Sequence, residues 1–234
     1  MKKLTTVLIL LVIVGAACKH GMHSGVRGSG KRVVQKREVQ PFNSIATEGA
    51  FNIEVVCQKD LGLEIEGDDN ILEMVSTDVS NNVLRLKNLK NYSVSEPIEI
   101  RISAPNIEGL TVSGAGKIDI SGLKNDKFEI DSNGAPQIKV SGSTNVVDID
   151  SNGAGKIDTH NLRAEKGVVD SKGVSKIDVD VRNQLDVTIS GPSTVTYQGD
   201  PSINKTIHGP GKLERRASEG AWEFRIANFG FRIS

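Results

Sequence analysis

Apolar and polar residues alternate over most of the chain after about residue 50, and helical spacing is rare. The run Val147–Asp150 reads V-D-I-D and the run Lys156–Asp158 reads K-I-D, so every second side chain is apolar. A period of two is the mark of a strand that buries one face. The pattern therefore predicts many short strands, each ended by a cluster of Gly, Asn and Ser.

These strand breaks belong to a phrase that recurs every 18 to 20 residues between Ser113 and Glu214. The copies read SGAGKIDI from Ser113, SNGAPQIKV from Ser132, SNGAGKIDT from Ser151, SKGVSKIDV from Ser171, SGPSTVTY from Ser190 and HGPGKLE from His208. Periods near 20 residues are typical of solenoids, in which each unit buries its apolar face only against its neighbours. The sequence predicts an all-β fold, a parallel β-solenoid (β-helix) with coils of about 18–20 residues.

Stacking the coils turns equivalent positions into columns. The predicted apolar core column consists of Ile118, Ile138, Ile157, Ile177, Val195 and Leu213. Because glycine tolerates the positive φ of a sharp turn, the predicted corner glycines are Gly114, Gly134, Gly153, Gly173, Gly191 and Gly209. Ala115, Ala135 and Ala154 follow three of these glycines, and we expect them at a tight corner that has no room for a larger side chain.

Acidic residues that precede the repeat serine are the best lead for chemistry. Asp131, Asp150 and Asp170 are expected to stack, and stacked carboxylates have three interpretations. They are a solvated structural column, a divalent-cation site, or a carboxylate pair such as glycosidic cleavage requires. Since the column recurs with the repeat, whereas a catalytic site would break the repeat at one place, the structural interpretation is favoured. The expectation is that the protein is not an enzyme.

Ahead of the repeats, the strand pattern continues less regularly. The candidate strands are Phe51–Val56, Leu61–Glu66, Val83–Lys87 and Ile98–Ser103. One short helix is predicted over Asn70–Val75, with Asp68 or Asp69 as its N-cap. No linker interrupts residues 33–215, so they are predicted to form one domain.

The N-terminus has the features of an export signal. Residues 1–17 combine Lys2 and Lys3 with an apolar run too short to span a bilayer, which is typical of a signal peptide. The run ends in Gly15-Ala16-Ala17-Cys18, which is similar to a bacterial lipobox, so Cys18 is the candidate lipidation site. Ordinary cleavage that yields a soluble secreted protein is the alternative. Residues 18–32 are rich in Gly, Ser and charge and are predicted to be a flexible tether.

Composition argues against several other kinds of partner. Removing residues 1–17 leaves 27 basic and 29 acidic residues, a net charge of −2 that does not favour nucleic acid. Cys57 lies in a strand-like run and is expected to be a small buried hydrophobe. His20 and His23 lie in the predicted tether, His160 and His208 lack a Cys or His partner at metal-binding spacing, and no cofactor is expected.

The tail at residues 216–234 differs from the rest of the chain because it holds four of the nine aromatic residues. Trp222, Phe224 and Ile226 alternate with charged residues, and Phe229, Phe231 and Ile233 alternate again. The pattern predicts a cap over the open C-terminal end of the solenoid. Contact with a partner or with another copy of the chain is the alternative.

Several of these segments together resemble one bacterial family. They are FNIEVV from Phe51, NILEMVSTDVSNNVLRL from Asn70, IEIRISAPNIEGLTVSGAGKIDI from Ile98 and the SNGA phrases. The family is the largely Bacteroidetes putative auto-transporter adhesin, head GIN domain, and the likeness covers roughly residues 34–212. The resemblance implies an exported β-solenoid with no established activity and no functional residues to transfer.

The expected function is therefore a non-enzymatic binding or structural module of the cell envelope. Its expected location is lipid-anchored in the outer membrane or facing the periplasm. Its candidate ligands are a glycan, another envelope protein or a host protein. Two alternatives stay open, which are a polysaccharide-active β-helix enzyme that uses the stacked Asp residues and an envelope sensor or accessory protein.

Overall fold

The computed structural model of the protein describes residues 25–216, which are almost entirely β-strand. The elements are β1 (Val26–Arg27), β2 (Arg32–Lys36), β3 (Ser44–Gly49), β4 (Asn52–Cys57), β5 (Gly62–Asp68), α1 (Asp69–Leu72), β6 (Val75–Ser80), β7 (Val83–Asn88), β8 (Tyr92–Ser93), β9 (Glu99–Ala104), β10 (Gly109–Gly114), β11 (Lys117–Ser132), β12 (Gln137–Ser151), β13 (Lys156–Ser171), β14 (Lys176–Ser190), β15 (Thr194–Gln198), β16 (Ser202–His208) and β17 (Lys212–Arg215). The all-β class and the single short helix are confirmed.

One continuous 15-stranded sheet winds into a parallel β-solenoid. The long strands β11 to β14 bend once, so the N-terminal part of each pairs with one set of neighbours and the C-terminal part with another. Face 1 contains β7, β3, β10, the C-terminal parts of β11 to β14, and β16. Face 2 contains β9, β4, the N-terminal parts of β11 to β14, β15 and β17. The predicted parallel solenoid is confirmed.

At the N-terminal end, the coils are not stacked in chain order. The coil made by β3 and β4 lies between the β10–β11 coil, which follows it on one side, and a coil made by β7 and β9 on the other. The chain therefore folds back beyond its own first coil and then crosses over it to begin the regular repeats. Sequence periodicity gives no indication of this order, because the strands before Gly109 carry no repeated phrase.

Antiparallel strands close this end of the stack. β5 pairs with β9, β2 pairs with β5 and β6 pairs with β7, all antiparallel. The helix α1 buries Ile71 and Leu72 completely against the same end. The Arg37 guanidinium donates hydrogen bonds of 2.6 Å to the carbonyl oxygens of Leu72 and Val75, which links α1 and β6 to the segment after β2.

The C-terminal end is closed less completely within the described residues. β16 pairs only with β14, and β17 pairs only with β15, so each presents a free outer edge. Ile203 on β16 is 38% exposed there. The predicted cap at residues 216–234 lies outside the described residues except for Arg216, and the predicted signal peptide and Cys18 also lie outside them.

The predicted apolar column lies in one register through the stack. Cα pairing runs from Ile118 to Ile138, Ile157, Ile177, Val195 and Leu213 in successive coils. The first five side chains are buried, and Leu213 in the last strand is half-buried. The column also extends backward to Ile53, Ile100 and Ile65.

The glycine at each corner is required for a different reason from the one that the sequence suggested. A Cβ on Gly114, Gly134, Gly153 or Gly173 would lie 1.8–2.0 Å from the carbonyl oxygen of the equivalent glycine in the preceding coil. Of the six predicted corner glycines, only Gly191 and Gly209 have positive φ, at 149° and 101°. Close approach of stacked backbones therefore excludes a side chain at the first four positions, and no left-handed conformation is involved.

Two details of the predicted repeat are wrong. Ala115, Ala135 and Ala154 are exposed, and the equivalent Val174 is 62% exposed, so these residues point outward rather than into a crowded interior. The repeat serines were also aligned wrongly by one residue in the first and last of these coils. Ser132 pairs with Val112 and Ser171 pairs with Ile189, which leaves Ser113 and Ser190 on the exposed side.

Four buried serines, Ser151, Ser171, Ser175 and Ser193, hydrogen-bond one another in pairs inside the solenoid. Ser151 hydrogen-bonds Ser175 at 2.6 Å, and Ser171 donates to Ser193 at 2.7 Å. Ser193 in turn donates to the carbonyl oxygen of Gly173 at 2.8 Å. Because buried hydroxyls are costly without partners, this arrangement explains how serine is accommodated at an interior position.

Part of the predicted tether lies against the domain. β1 pairs with β8, and the Ser29 hydroxyl donates to Asp69 at the start of α1 at 2.6 Å. The backbone N–H of Gly30 donates to Asp68 at 3.1 Å. The segment 25–32 therefore adds a short edge to the closed end of the solenoid.

Candidate ligand-binding groove

A groove runs along the solenoid where each coil bends from face 2 to face 1. Its main part has a volume of about 910 Å³, and a second part of about 460 Å³ continues it and shares Arg163 and Glu165 with it. The main part is lined by Ser44, Asn106, Glu108, Gly109, Lys124, Asn125, Asp126, Lys127, Glu129, Ser143, Thr144, Asn145, Arg163 and Glu165. We call this surface the lateral groove.

The bend that forms the lateral groove depends on glycine and on buried anchors. Gly122 and Gly142 have positive φ, at 72° and 140°, where the strands β11 and β12 turn. Leu123 and Leu162 point into the core beside the bend and are 1% and 0% exposed. Because the apolar residues face inward, the polar residues between them are presented outward along successive coils.

Two columns of side chains form the walls. One column places Lys124, Ser143 and Arg163 in register on successive coils. In the second column, the Asn145 amide donates to Asp126 at 2.8 Å and the Asn183 amide donates to Glu165 at 2.8 Å. Carboxylates therefore alternate with amides, which separates like charges along the stack.

The floor contains two buried amide oxygens that lack partners. The Oδ1 atoms of Asn106 and Asn125 are inaccessible to solvent and accept no hydrogen bond within residues 25–216. The Asn125 side chain is fixed at its other end, because its Nδ2 donates to the carbonyl oxygen of Ile107 at 2.7 Å. Buried acceptors are normally satisfied, and because solvent does not reach these two atoms, they lie beneath the groove surface rather than on it.

Basic and acidic groups nearly balance in the main part of the groove. Lys127 pairs with Glu129 and with Asp148, the latter at 3.3 Å, and these contacts raise the pKa of the Lys127 ammonium above its usual value. Lys124 and Arg163 are exposed and form no salt bridge within the described part of the chain. They are therefore available as donors on one wall.

The stacked aspartates lie elsewhere and are held by their neighbours. Asp131, Asp150 and Asp170 pair in register on face 1. Asn133 donates to Asp131 at 2.7 Å and Asn152 donates to Asp150 at 2.9 Å. Lys172 lies 3.0 Å from Asp170 and 3.8 Å from Asp150, and these carboxylates raise the pKa of the Lys172 ammonium.

This arrangement fits the structural interpretation of the aspartate column. The residue two positions after each aspartate supplies a donor, so the repeat itself supplies the compensation. None of the three aspartates lines the lateral groove. A glycosidase pair, by contrast, requires two carboxyl groups that face a bound sugar from opposite sides.

The remaining candidates for chemistry are isolated. His160 contacts Asp158 on face 2, and Cys57 is a buried free thiol whose pKa is raised by burial. In residues 25–216, no group of three or more His, Cys, Asp or Glu side chains is placed to hold a metal ion. The same residues contain no helix that is both long and apolar enough to cross a membrane.

Sequence reasoning missed the lateral groove because it lies outside the repeated phrases. The segments that line it, such as Lys124–Lys127 and Ser143–Asn145, differ between units in length and residue type. The one available signal was the interruption of regular alternation by several consecutive polar residues in each unit. That signal locates a bend but does not show that the bends align into a groove.

The family model described as putative auto-transporter adhesin, head GIN domain, matches residues 41–201. The chain belongs to this family. The resemblance of the sequence to the head GIN domain family is therefore confirmed. The match begins after β2 and spans most of the repeats, and it includes the whole main part of the lateral groove.

Solved structures with the same fold accompany this family match. A putative adhesin from Bacteroides fragilis is 25% identical with a TM-score of 0.67, and the match covers 82% of this chain and 100% of that chain. A putative adhesin from Parabacteroides merdae and a putative lipid binding protein from Parabacteroides distasonis are each 18% identical with TM-scores of 0.52. Each of these two matches covers 82% of this chain and 99% of the other. No curated protein matches the chain.

Proposed function

We propose that this head GIN domain protein is an exported, non-enzymatic binding module of the cell envelope, and that it binds through the lateral groove. The observation that carries the proposal is the groove itself, which extends over successive coils and is lined by polar side chains, among them Lys124 and Arg163, which form no salt bridge within residues 25–216. Membership in an adhesin-like family supports a role in surface binding.

The solenoid suits such a role because it holds the groove on paired strands rather than on loops. The strands β11, β12 and β13 supply most of the lining residues, and each pairs with its neighbour over nearly its whole length. A surface held by such a ladder loses little conformational entropy when a ligand binds. Affinity then depends on how well the ligand matches fixed polar groups.

A polysaccharide-active enzyme is the less favoured function. Its candidate residues, Asp131, Asp150 and Asp170, are compensated by Asn and Lys side chains and lie outside the groove. Binding of an acyl chain is also less favoured, because the residues that line the main part of the groove are polar, apart from Gly109. Lipid recognition requires a largely apolar surface.

The test of the proposed function uses residues 19–234, purified without the signal peptide and Cys18. The protein is mixed with isolated bacterial envelopes, host cell surfaces and a panel of polysaccharides, and both binding and release of reducing ends are recorded. Saturable binding without new reducing ends supports the proposal. New reducing ends that disappear in an Asp150→Asn variant, or the absence of binding to every surface, would contradict it.

The location of the protein is part of the same proposal. Gly15-Ala16-Ala17-Cys18 supports cleavage before Cys18 and attachment of lipid to its thiol. The full chain expressed in its host should incorporate labelled fatty acid and partition into detergent, and the Cys18→Ser variant should do neither. Equal labelling of the two proteins would exclude lipidation at Cys18.

A further inference from the structure

We infer that the lateral groove binds an uncharged, hydroxyl-rich polysaccharide strand that lies across the coils, along the stack. This inference rests on the proposed function and names the class of ligand. It depends on the hydrogen-bonding groups, the charge balance and the spacing of the groove.

The hydrogen-bonding groups match sugar hydroxyls. The Ser143 hydroxyl is exposed on one wall and can both donate to and accept from a sugar hydroxyl. Asp126 and Glu165 each accept one amide hydrogen bond and retain further acceptor positions. Arg163 on the opposite wall is a donor, so a hydroxyl between the walls could donate to one and accept from the other.

The charge balance argues against a charged polymer. Four carboxylates and three basic groups line the main part, namely Glu108, Asp126, Glu129, Glu165, Lys124, Lys127 and Arg163. A polyanion such as nucleic acid or an acidic polysaccharide is attracted by a surface with a clear excess of basic groups. The mixed lining provides no such excess, and an uncharged ligand has no need of one.

The lining also lacks the features that bind proteins. No aromatic side chain and no large aliphatic side chain is present among the residues that line the main part. Interfaces between proteins generally have an apolar centre surrounded by polar groups. A polysaccharide carries hydroxyl groups along its whole length, so it can form polar contacts with every part of this lining.

The spacing of the coils favours a polymer over a single sugar. The walls repeat at each coil, and adjacent coils lie roughly 4.8 Å apart. From Asn106 to Glu165 the lining crosses three such steps, roughly 14 Å, and Arg182 and Asp200 extend it further. A ligand of several sugar units therefore contacts equivalent groups repeatedly, and affinity should rise with the length of the oligosaccharide.

A substitution that fills the groove without touching the core gives the sharpest test. Ser143 is exposed on the groove wall between Lys124 and Arg163. In Ser143→Trp the indole would occupy the groove, and binding of neutral polysaccharide should weaken at least about tenfold. The matched control is Ser113→Trp, because Ser113 is also exposed but lies at the glycine corner, outside the groove.

The probes are neutral glucan and mannan oligosaccharides of increasing length, with polygalacturonate and alginate as acidic counterparts. We expect affinity to rise with length for the neutral series, and to change less than about twofold between low and high salt, since no counterions are released. The Arg163→Ala and Glu165→Ala variants should each weaken this binding, while circular dichroism shows that all the variants are folded.

The outcomes separate this inference from the proposed function. Preference for the acidic polysaccharides, or neutral binding that Ser143→Trp leaves unchanged, overturns the inference while binding to envelopes or cells still supports the function. Binding only to a protein component of the envelope also overturns it. Failure to bind any envelope, cell or polysaccharide overturns both.

Discussion

Gly153 lies directly against Gly134 of the preceding coil, and contacts of this kind exclude a side chain at Gly114, Gly134, Gly153 and Gly173. An added Cβ at position 153 would lie 1.8 Å from the Gly134 carbonyl oxygen. A backbone atom cannot move away as a flexible side chain can. The requirement is therefore for the absence of a side chain, whatever the backbone dihedral angles are.

We expect Gly153→Ala to lower the free energy of unfolding by about 3 kcal/mol or more, since it forces the coils apart. The control is Gly109→Ala, whose new Cβ would meet the Ser44 side chain at 3.1 Å, a contact that a rotation can relieve. Urea denaturation of both variants measures the difference. Equal midpoints for the two would show that the corner is not closely packed.

Asp158 is a partly buried carboxylate whose titration should affect stability. Burial acts to raise the pKa of the Asp158 carboxyl, but the hydrogen bonds from His160 and the charges of His160 and Lys156 hold it below its usual value of 3.8. A carboxylate with a lowered folded pKa stabilises the protein above the unfolded pKa, and this contribution is lost as pH falls through the folded value.

Comparison of the parent protein with the Asp158→Asn variant should show how the stabilisation by the ionised Asp158 carboxylate depends on pH. The difference in unfolding free energy between them should shrink as the pH falls from about 5 to about 2. Asp119→Asn is the control, because Asp119 lies in the same column two coils away and is exposed. A difference that does not vary with pH would exclude the ionised contact with His160 as its cause.

At the scale of the element, each long strand is stabilised by the columns that it shares with its neighbours. Ile157 on β13 is fully buried between Ile138 on β12 and Ile177 on β14. The register of these strands is strongly specified, because a slip of one residue would bring Lys156 or Asp158 into the core.

Shortening a side chain in this column should lower the free energy of unfolding. Ile157→Ala is expected to lower the unfolding free energy by roughly 2–5 kcal/mol through lost burial and the remaining cavity. Val174→Ala, at a position that is 62% exposed, should change it by less than about 0.5 kcal/mol. Chemical denaturation of both variants checks the prediction, and an unchanged midpoint for Ile157→Ala would contradict the register.

At the scale of the whole molecule, the two ends of the solenoid differ. The N-terminal end is covered by antiparallel strands, by α1 and by the hydrogen bonds of Arg37. At the other end, β16 and β17 leave their outer edges free within residues 25–216. Free sheet edges promote pairing between molecules, and solenoids generally need a capping element at each end.

Deletion of residues 217–234 should therefore lower the denaturation midpoint and cause self-association that increases with concentration. Light scattering after size-exclusion chromatography would measure the association. Adding Ile203→Lys to the deletion should restore the monomer, since a charged side chain on an edge strand opposes pairing and Ile203 is already exposed. A deleted chain that stays monomeric and equally stable would remove the capping hypothesis.

The sequence by itself determined the repeats. The column from Ile118 to Leu213 and the presence of one short helix after Asp68 could be predicted because alternation, repeat length and helix-start signals are local properties. The predicted helix over Asn70–Val75 is too long, since α1 ends at Leu72 and Val75 begins β6. For the same reason, the sequence wrongly placed Ala154 inside the corner and wrongly aligned Ser113 with Ser132. A repeated letter shows that positions are equivalent, but it does not show which way they point.

Only the tertiary structure decided the order of the first coils, the reason for the corner glycines and the existence of the lateral groove. The β7–β9 coil lies beyond the β3–β4 coil because strands distant in the chain pair there without a repeated phrase. The glycine contact and the groove are properties of adjacent coils taken together. Both depend on distances between residues about one coil apart or more, which alternation within a strand cannot specify.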